Sequence, residues 1–334
     1  MKTENRGILL IAGIVFLVIV TFLGSYIFSR WIHQPLPLED EKRVRIRPGM
    51  TGRAIGRLLK EEGVIESVEA FRWAIWLHGV ERDLRLGTVL LEPPLTRYQL
   101  VEKLRQKNPE LVRVRLKEGW PSWRIFEELA RKLEIEKNEF EEVFADPEFL
   151  SSRGIEAETA EGYLYPETYY FSLDASAEEI LAQMIDKFKS VIRQLDFEKK
   201  AEDLGYEPHE MVTLASIIER EARVVHEYPL VSAVYHNRLQ RGMKLQADPT
   251  VLYALGDFEA PITRSALNRY SEFNTYEKRG LPPRPICSPG FNSLEAAVNP
   301  AETEDLFFVS RGDGTHVFSR TYREHQQAVN KYQR

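Results

Sequence analysis

The sequence has a single cysteine and no surplus of positive charge. Cys287 is the only cysteine among 334 residues, so the chain can form neither an internal disulfide nor a cysteine-rich zinc site. Its neighbours, Pro285 to Gly290, indicate a rigid turn, and no motif supplies the base that a nucleophilic cysteine requires. The formal net charge is −6, whereas a nucleic-acid-binding domain is usually strongly basic. The composition therefore argues against a disulfide scaffold and against a nucleic-acid partner.

Charged residues are also missing from one long stretch near the amino terminus. No Asp, Glu, Lys or Arg occurs from Ile8 to Ser29, and about 20 apolar residues suffice for a helix to cross a bilayer. Tyr26 and Trp31 suit an interfacial belt at its far end. A cleaved signal peptide has a shorter apolar core, about 7–15 residues, and ends in small residues. We therefore predict an uncleaved transmembrane helix over 8–29, after a short tail over residues 1–7.

Beyond the apolar stretch, the sequence predicts a linker and then two segments that share one plan. Residues 30–42 contain two prolines and several acids, as a linker does that lifts a folded part off the membrane. Alternating polar and apolar residues then predict a half-buried strand, which a turn and an amphipathic helix follow. The same plan returns about 68 residues later.

The predicted elements before the repeat are a strand at 43–47, a turn at Pro48-Gly49-Met50, a helix carrying Ala54, Ile55, Leu58 and Leu59 that Gly63 closes, helices at 68–80 and 96–106, and a short strand at 88–91. Those of the repeat are a strand at 112–116, a turn at Glu118-Gly119, and a helix that Pro121-Ser122 opens and that carries Ile125, Phe126, Leu129 and Leu133. Strand, helix, helix, strand units of this size resemble the LysM-like modules that bind wall glycans. A plain support module without a ligand is an equal alternative.

The fold class that these patterns predict is α+β. After the single transmembrane helix and the linker at 30–42, we expect a LysM-like module over 43–115 and a second α+β domain over 116–334. In the second domain, residues 161–171 are dense in aromatic side chains. They predict either a core strand or the lining of a sugar groove, because aromatic rings stack well on sugar faces. Residues 177–195 predict an amphipathic core helix.

The most informative helix is predicted over residues 208–224. At 3.6 residues per turn, Glu219 shares its face with small, mostly apolar residues, namely Val212, Ala215, Ser216 and Ala222. Desolvation in such a niche favours the protonated acid and raises the pKa of the carboxyl group. A glycosidase needs such a group to protonate a leaving oxygen near neutral pH. On this helix alone, an ion pair of Glu219 with Arg223 on a solvated face remains the alternative.

Polar residues recur in the segments downstream, where proline and glycine bound rigid loops. A helix is predicted over 231–240, and Gln246, Asp248 and Thr250 alternate after it. On an extended chain these three side chains would face one side. Further polar residues lie in loops of the kind that carry functional groups, and they are Asn274, Thr275 and Tyr276, then Gly280 to Ile286 and Ser288 to Gly290.

These segments together resemble the endolytic murein transglycosylase family, the YceG-like proteins, in order and spacing over about 120 residues. The matching motifs are Leu214-Ala215-Ser216-Ile217-Ile218-Glu219, Asn237-Arg238-Leu239 with Gly242-Met243, Leu245-Gln246-Ala247-Asp248-Pro249-Thr250-Val251, Asn274-Thr275-Tyr276, Gly280-Leu281-Pro282-Pro283, Ser288-Pro289-Gly290, Leu306-Phe307-Phe308-Val309 and Gly314-Thr315-His316-Val317-Phe318-Ser319. Weaker similarity extends back to the strand near Arg43.

The resemblance implies cleavage of the β-1,4 bond between N-acetylmuramic acid and N-acetylglucosamine without water. Glu219 would protonate the glycosidic oxygen and then take the proton of the C6 hydroxyl, which closes a 1,6-anhydro ring. Residues expected to bind or orient the glycan are Ser216, Gln246, Asp248, Thr250, Asn274, Thr275 and Tyr276. Asp248 would either fix a loop or lie close to Glu219 and raise its pKa. No metal or cofactor is implied.

Two other functions remain open at this point. A peptidoglycan hydrolase would use Glu219 as acid with Asp248 as its partner, and a non-catalytic scaffold would use only the LysM-like module and the anchor. The resemblance also implies a single-pass protein of the bacterial cytoplasmic (inner) membrane, with residues 1–7 as a cytoplasmic tail and the catalytic domain outside the cytoplasm. Lysines and arginines around the span do not by themselves favour that orientation. Implied partners are peptidoglycan strands, whose elongation the enzyme would end, penicillin-binding proteins and other elongation machinery.

Overall fold

The computed structural model describes residues 4–46, 50–80, 84, 87–105 and 111–333. The first three residues of the predicted tail, the last residue of the strand predicted at 43–47, the predicted turn at Pro48-Gly49 and the end of the helix predicted at 96–106 lie outside the described residues. The chain has a mixed α+β fold, as predicted, and divides into two compact units. Unit 1 comprises the residues up to Leu111 together with Ser172–Asp174, and unit 2 comprises Val112–Phe171 and Ala175–Arg334.

Unit 1 begins with the long apolar helix α1, Glu4–Ile32. Its part from Gly13 to Ile32 is apolar and long enough to cross a membrane. The helix therefore continues about one turn beyond the end that the sequence predicted at residue 29.

The segment predicted as a linker packs in part against the core of unit 1. Ile32, Leu36 and Leu38 are buried in the hydrophobic core of unit 1, and the Leu36 N–H donates to the Leu95 carbonyl at 2.7 Å. The prolines of this segment prevent a helix, but they permit an extended chain on which leucines two residues apart face the same side. The sequence interpretation overlooked that alternation.

The rest of unit 1 follows the predicted order of elements. Its elements are β1 Lys42–Ile46, α2 Gly52–Glu61, α3 Val68–Leu77, β2 Gly87–Leu91 and α4 Arg97–Arg105. β1 pairs with β2 in antiparallel register, with Val44 opposite Val89. Thr51 and Ser67 cap the amino termini of α2 and α3 through their hydroxyl groups.

The strand predicted at 112–116, which the predicted boundary at residue 115 places mostly in the LysM-like module, belongs to unit 2. This strand, β3 Leu111–Arg115, pairs with β4, Thr168–Ser172, in a two-stranded sheet. Val114 and Leu116 are buried in a hydrophobic cluster of unit 2, which explains the difference from the boundary predicted at residue 115. A strand's pairing partner depends on which core buries its apolar face, and the sequence repeat does not contain that information.

Unit 2 is mainly helical. Its further elements are α5 Ser122–Leu133, α6 Lys137–Phe144, α7 Pro147–Ser152, α8 Ala177–Gln194, α9 Phe197–Asp203, α10 Pro208–Glu221, a 3-10 turn at Val225–Glu227, α11 Tyr228–Gln240, α12 Asp248–Leu255, α13 Arg264–Leu267, α14 Phe291–Val298, the antiparallel pair β5 Phe307–Ser310 and β6 His316–Ser319, and α15 Tyr322–Tyr332. The four segments predicted as helices that correspond to α5, α8, α10 and α11 are thus confirmed as helices.

One prediction in this unit is wrong. Gln246, Asp248 and Thr250 do not share one side of an extended chain, because Asp248 begins α12. Asp248 is exposed while Thr250 is fully buried. Proline is favoured in the first turn of a helix, where its missing N–H costs no hydrogen bond, so Asp248-Pro249 carried a helix-start signal that the interpretation missed.

Helix α10 is the central element of unit 2. Every residue from Met211 to Ile218 is buried, as expected of a helix that is apolar nearly all round. Pro208 lies in its first turn, and the side chain of Glu207 accepts a hydrogen bond from the backbone there. The helix ends at Glu221, because Ala222 adopts an extended conformation. Glu219 therefore emerges from the core on the last turn of the helix.

Candidate active site

The carboxylate of Glu219 is held from one side only. Its Oε2 atom accepts the N–H of Gly290 at 2.9 Å and the hydroxyl of Ser293 at 2.6 Å. Within the described part of the chain, Oε1 has no hydrogen-bond partner. The alternative ion pair with Arg223 does not form, because α10 ends before residue 223 and the helical i,i+4 spacing is lost. One oxygen of the carboxyl group is therefore fixed and the other is free for chemistry.

The pKa of Glu219 is raised to about 7, chiefly because burial disfavours the charged form. The Glu118 carboxylate raises this pKa further, while the bonds from Ser293 and Gly290 and the Arg220 guanidinium lower it. A carboxyl group with a pKa near 7 exchanges its proton readily at neutral pH, so it suits a group that acts as acid and then as base.

Glu118 is a site residue that the sequence interpretation did not identify. It lies in the turn between β3 and α5, and its carboxyl group packs so closely against Gly290 that a Cβ atom there would collide with it. Two buried phenols have pKa values raised mainly by burial and further by Glu118 and Glu219. The pKa of Tyr165 is raised to about 12, and that of Tyr228 is raised as well. A glutamate directly after a strand, in a turn, was the available signal.

Backbone hydrogen bonds join the loops that carry these groups. The Gly119 N–H donates to the Ser288 carbonyl, and the Ser288 N–H donates to the Trp120 carbonyl, each at 2.9 Å. Ser216, predicted to bind the glycan, is fully buried on α10, and its hydroxyl oxygen accepts the Ile286 N–H at 3.0 Å. Ser216 therefore holds the loop that leads to Gly290, and its polar atom is engaged with protein.

Glu219 is among the residues that line an open polar groove of about 610 Å³. The groove is lined by residues from β3 and the turn after it, by the start of β4, and by the catalytic candidate, namely Arg113, Arg115, Leu116, Lys117, Glu118, Pro166, Glu167, Thr168 and Glu219. The aromatic-rich segment predicted as core strand or sugar groove supplies a core strand, whereas the residues of this segment that border the groove are not aromatic. Tyr169 and Phe171 are buried, while Pro166, Glu167 and Thr168 border the groove.

Three of the predicted binding residues are buried, and their polar side-chain atoms form hydrogen bonds within the protein. The hydroxyl oxygens of Thr250 and Thr275 lie 2.9 Å apart, and Thr275 also accepts the Ala247 N–H at 2.9 Å. The Asn274 amide donates to two backbone carbonyls, of Leu267 and Arg269. These contacts fix the loop at 271–276 against the start of α12.

Asp248 accepts a hydrogen bond from Tyr276, and its charge acts on Glu221. The Tyr276 hydroxyl donates to Oδ1 of Asp248 at 2.6 Å. Burial raises the pKa of Glu221 to about 7, and the charge of Asp248 adds to the increase. Of the two roles considered for Asp248, the geometry favours fixing a loop. Gln246 is exposed beside it, with a left-handed backbone at φ +51°.

Neither the cysteine nor a metal cluster suggests another chemistry. The Cys287 thiol is fully buried and lies 3.3 Å from the Ser216 carbonyl, and burial raises its pKa well above the usual value. Over the ranges that the structure describes, no group of three or more His, Cys, Asp or Glu side chains is arranged to hold a metal ion.

Comparisons with known proteins agree on one family. The model of the YceG-like family matches residues 44–331. A Bacillus subtilis protein named endolytic murein transglycosylase is 29% identical over 327 residues, which cover 92% of this chain and 90% of the relative. A Streptococcus pneumoniae protein of the same name is 23% identical, and this chain spans 64% of its length. The crystal structure of a YceG-like protein from Listeria monocytogenes matches with a TM-score of 0.60 at 29% identity, over 87% of this chain and 99% of that one.

Proposed function

The chain belongs to the YceG-like family, and from that premise we propose that it is an endolytic peptidoglycan transglycosylase with Glu219 as its acid and base. The bond that it would cleave is the β-1,4 bond between N-acetylmuramic acid and N-acetylglucosamine. The names of the Bacillus and Streptococcus relatives support this substrate. The observation that carries the proposal is the carboxyl group of Glu219, which lines an open groove and whose Oε2 atom alone accepts hydrogen bonds from the described part of the protein.

The first step is protonation of the glycosidic oxygen. Both protein donors reach Oε2 of Glu219, so Oε2 acts as an acceptor and the proton of the neutral acid resides on Oε1. Burial keeps a substantial share of Glu219 protonated near pH 7. Transfer of this proton to the leaving oxygen breaks the bond to C1 and leaves positive charge on the muramic ring, as in other glycosidases.

The second step returns the proton to Glu219. The carboxylate left after the first step is stabilised by the Gly290 N–H and the Ser293 hydroxyl, which are charge-assisted donors. Its Oε1 atom accepts the proton of the C6 hydroxyl while the C6 oxygen bonds to C1. The products are a 1,6-anhydro-muramic end and a strand with a free C4 hydroxyl, and no water is consumed.

The predicted binding residues divide into two groups in this account. Ser216, Thr250, Asn274 and Thr275 are buried, and we assign them to holding the loops that surround the site. Gln246, Asp248 and Tyr276 retain accessible surface and are the candidates for direct contact with sugar hydroxyl and N-acetyl groups. This division modifies the sequence-based expectation that all seven contact the glycan.

A hydrolase is the second candidate, and the carboxylate of Glu118 is the observation that favours it. Such an enzyme requires a second carboxylate that acts as nucleophile or activates water. Asp248, the partner expected from the sequence, is engaged with Tyr276, whereas Glu118 adjoins Gly290 and influences Glu219. The product separates the two reactions, because a hydrolase leaves a reducing end.

The position in the cell follows from the same premise. Helix α1 would anchor the chain in the cytoplasmic membrane as a single span, with unit 2 outside the cytoplasm where peptidoglycan lies. Unit 1 would bind wall glycan as LysM-like modules do. Cleavage of nascent strands there would end their elongation beside penicillin-binding proteins and other synthetic machinery.

The proposal is tested by incubating the full chain in detergent micelles with purified peptidoglycan and analysing the products by mass spectrometry. Glu219→Gln serves as the matched control, since it replaces one carboxyl oxygen with an NH2 group and removes the titratable group. We expect anhydro-muramic ends from the parent and none from the variant. Reducing ends would identify a hydrolase. If the parent forms no products while a reference enzyme is active in the same assay, both the transglycosylase and the hydrolase proposals are contradicted.

A further inference from the structure

A row of positive charge borders the groove. Along β3 and its continuation the side chains alternate, so that Val114 and Leu116 are buried while Arg113, Arg115 and Lys117 are exposed and line the groove. Residues two apart on a strand point to the same face, so the three cations form one row about 13 Å long at ~3.3 Å per residue. We call Arg113, Arg115 and Lys117 the basic row.

Acidic groups of the protein leave this row unneutralised. Among the residues that the structure describes, no carboxylate forms an ion pair with any member of the basic row, and the nearby Glu167 pairs instead with Lys187 at 3.7 Å. A guanidinium without a protein partner can bind a carboxylate through two parallel hydrogen bonds. The positive strip also contrasts with the chain as a whole, whose formal net charge is −6.

The same groove also contains acidic side chains. Glu118, Glu167 and Glu219 line it together with the basic row. A substrate that carries carboxylates would be repelled by these three groups unless cations in the groove compensated them. Peptidoglycan is such a substrate, because each unmodified muramic acid carries a short peptide, attached through its lactyl group, with free carboxylates.

We propose that the basic row binds the stem-peptide carboxylates of the glycan strand and thereby selects peptide-bearing strands for cleavage. This inference rests on the proposed function, since it names the part of the substrate that the groove recognises. The peptide belongs to the sugar whose C1 bond Glu219 would break, so a peptide has to lie beside the catalytic carboxyl group during the reaction. Its carboxylates would meet Arg113 and Arg115 across the groove.

The test compares two strand preparations that differ only in charge. Uncrosslinked strands with intact stem peptides are used as they are, or after carbodiimide and ammonia have converted the peptide carboxylates to amides. The full chain in detergent micelles is assayed as the parent, as the double variant Arg113→Gln/Arg115→Gln, and as the control Lys199→Gln, which removes an exposed cation of α9. Thermal unfolding checks that each variant is folded.

For the parent, we expect amidation of the strands to raise KM about three- to tenfold with little change in kcat, as loss of exposed ion pairs does. The double variant should show this higher KM on both preparations, and Lys199→Gln should behave as the parent. Increased salt should raise the KM of the parent only on strands with free carboxylates.

An equal KM of the parent for both preparations would overturn the inference. It would also be overturned if the double variant raised KM by the same factor, relative to the parent, on both preparations. Failure of the parent to cleave either preparation would contradict the proposed function instead. The row would then still be tested by the affinity of Glu219→Gln for the two preparations, with and without the Arg113→Gln/Arg115→Gln changes.

Discussion

The hydroxyl of Ser293 donates to Oε2 of Glu219 at 2.6 Å, across 74 residues of sequence. The same oxygen accepts the Gly290 N–H. Two donors on one oxygen stabilise the ionised carboxyl group and direct the proton of the neutral acid to the other oxygen. The contact therefore opposes the rise in pKa that burial causes, and it orients the group on which the proposed chemistry depends.

Removal of this hydroxyl should make Glu219 a weaker acid. Ser293→Ala deletes a hydrogen bond that lowers the pKa of Glu219, so the pKa should rise. Activity that needs the protonated acid falls as pH rises through that pKa, and the falling limb of kcat/KM against pH should move to higher pH. Because the carboxylate formed in the reaction loses a charge-assisted bond, kcat should also fall about tenfold. A limb that stays in place or moves down would contradict this role of Ser293.

Glu118→Gln should move the same limb in the opposite direction. The charge of Glu118 raises the pKa of Glu219, so its removal lowers that pKa and shifts the falling limb to lower pH. The two variants form an internal control for each other, since a nonspecific disturbance of the site would not shift the profile in opposite senses. If Glu118 is instead a hydrolytic nucleophile or base, the glutamine variant should lose activity at every pH.

Substitution of Gly162 should destabilise the protein more than substitution of a glycine in open space. Gly162 has φ +86°, and a Cβ there would lie 2.5 Å from atoms of Pro285, in the loop that leads to Gly290. Gly154 has φ +57° with nothing within 4 Å of an added Cβ. We expect Gly154→Ala to destabilise by about 1 kcal/mol from backbone strain alone and Gly162→Ala by about 3 kcal/mol, because overpacking adds to it. Thermal unfolding measures the difference, and equal losses would mean that the loop yields freely.

Buried Glu161 should make the protein less stable as the solution becomes neutral. Its carboxylate accepts the Ser122 N–H and hydroxyl at the start of α5, yet burial raises its pKa from 4.5 to about 7. Between these values the folded state binds more protons than the unfolded state, so the free energy of unfolding falls as pH rises through this window. Glu161→Gln keeps an acceptor oxygen and cannot ionise.

The unfolding midpoint of Glu161→Gln should therefore depend less on pH between 4.5 and about 7, the interval given by this pKa shift, than that of the parent. The residual dependence belongs to groups such as Glu219 and Glu221, whose pKa values burial also raises. Exposed Glu158→Gln serves as the control. A glutamine variant as pH-dependent as the parent would contradict the proton uptake assigned to Glu161.

Local sequence patterns were sufficient for the catalytic helix and insufficient for its surroundings. The apolar run before Glu219 predicted a buried helix that ends in a carboxyl group, because burial on all faces is written into consecutive residues. Glu118 and Ser293 approach Glu219 from positions 101 and 74 residues away along the chain. Contacts at such separations depend on how loops pack, and no periodicity encodes them.

Two differences between prediction and structure have local causes that the sequence contains. The Asp248-Pro249 pair starts a helix, whereas the alternation of polar residues predicts an extended chain. Leu36 and Leu38 pack into unit 1, whereas the neighbouring prolines predict a linker. The assignment of β3 to unit 2 is different in kind, since its partner β4 lies more than 50 residues downstream and pairing is a tertiary choice.

The measurement that tests the central claim most directly is cleavage of peptidoglycan by the full chain in water enriched in oxygen-18. If the C6 hydroxyl closes on C1 with Glu219 as the only acid and base, the new end contains no oxygen from the solvent, and product masses are the same in normal and enriched water. Products that gain one solvent oxygen at C1, heavier by the isotope difference in enriched water, would contradict the account and establish hydrolysis.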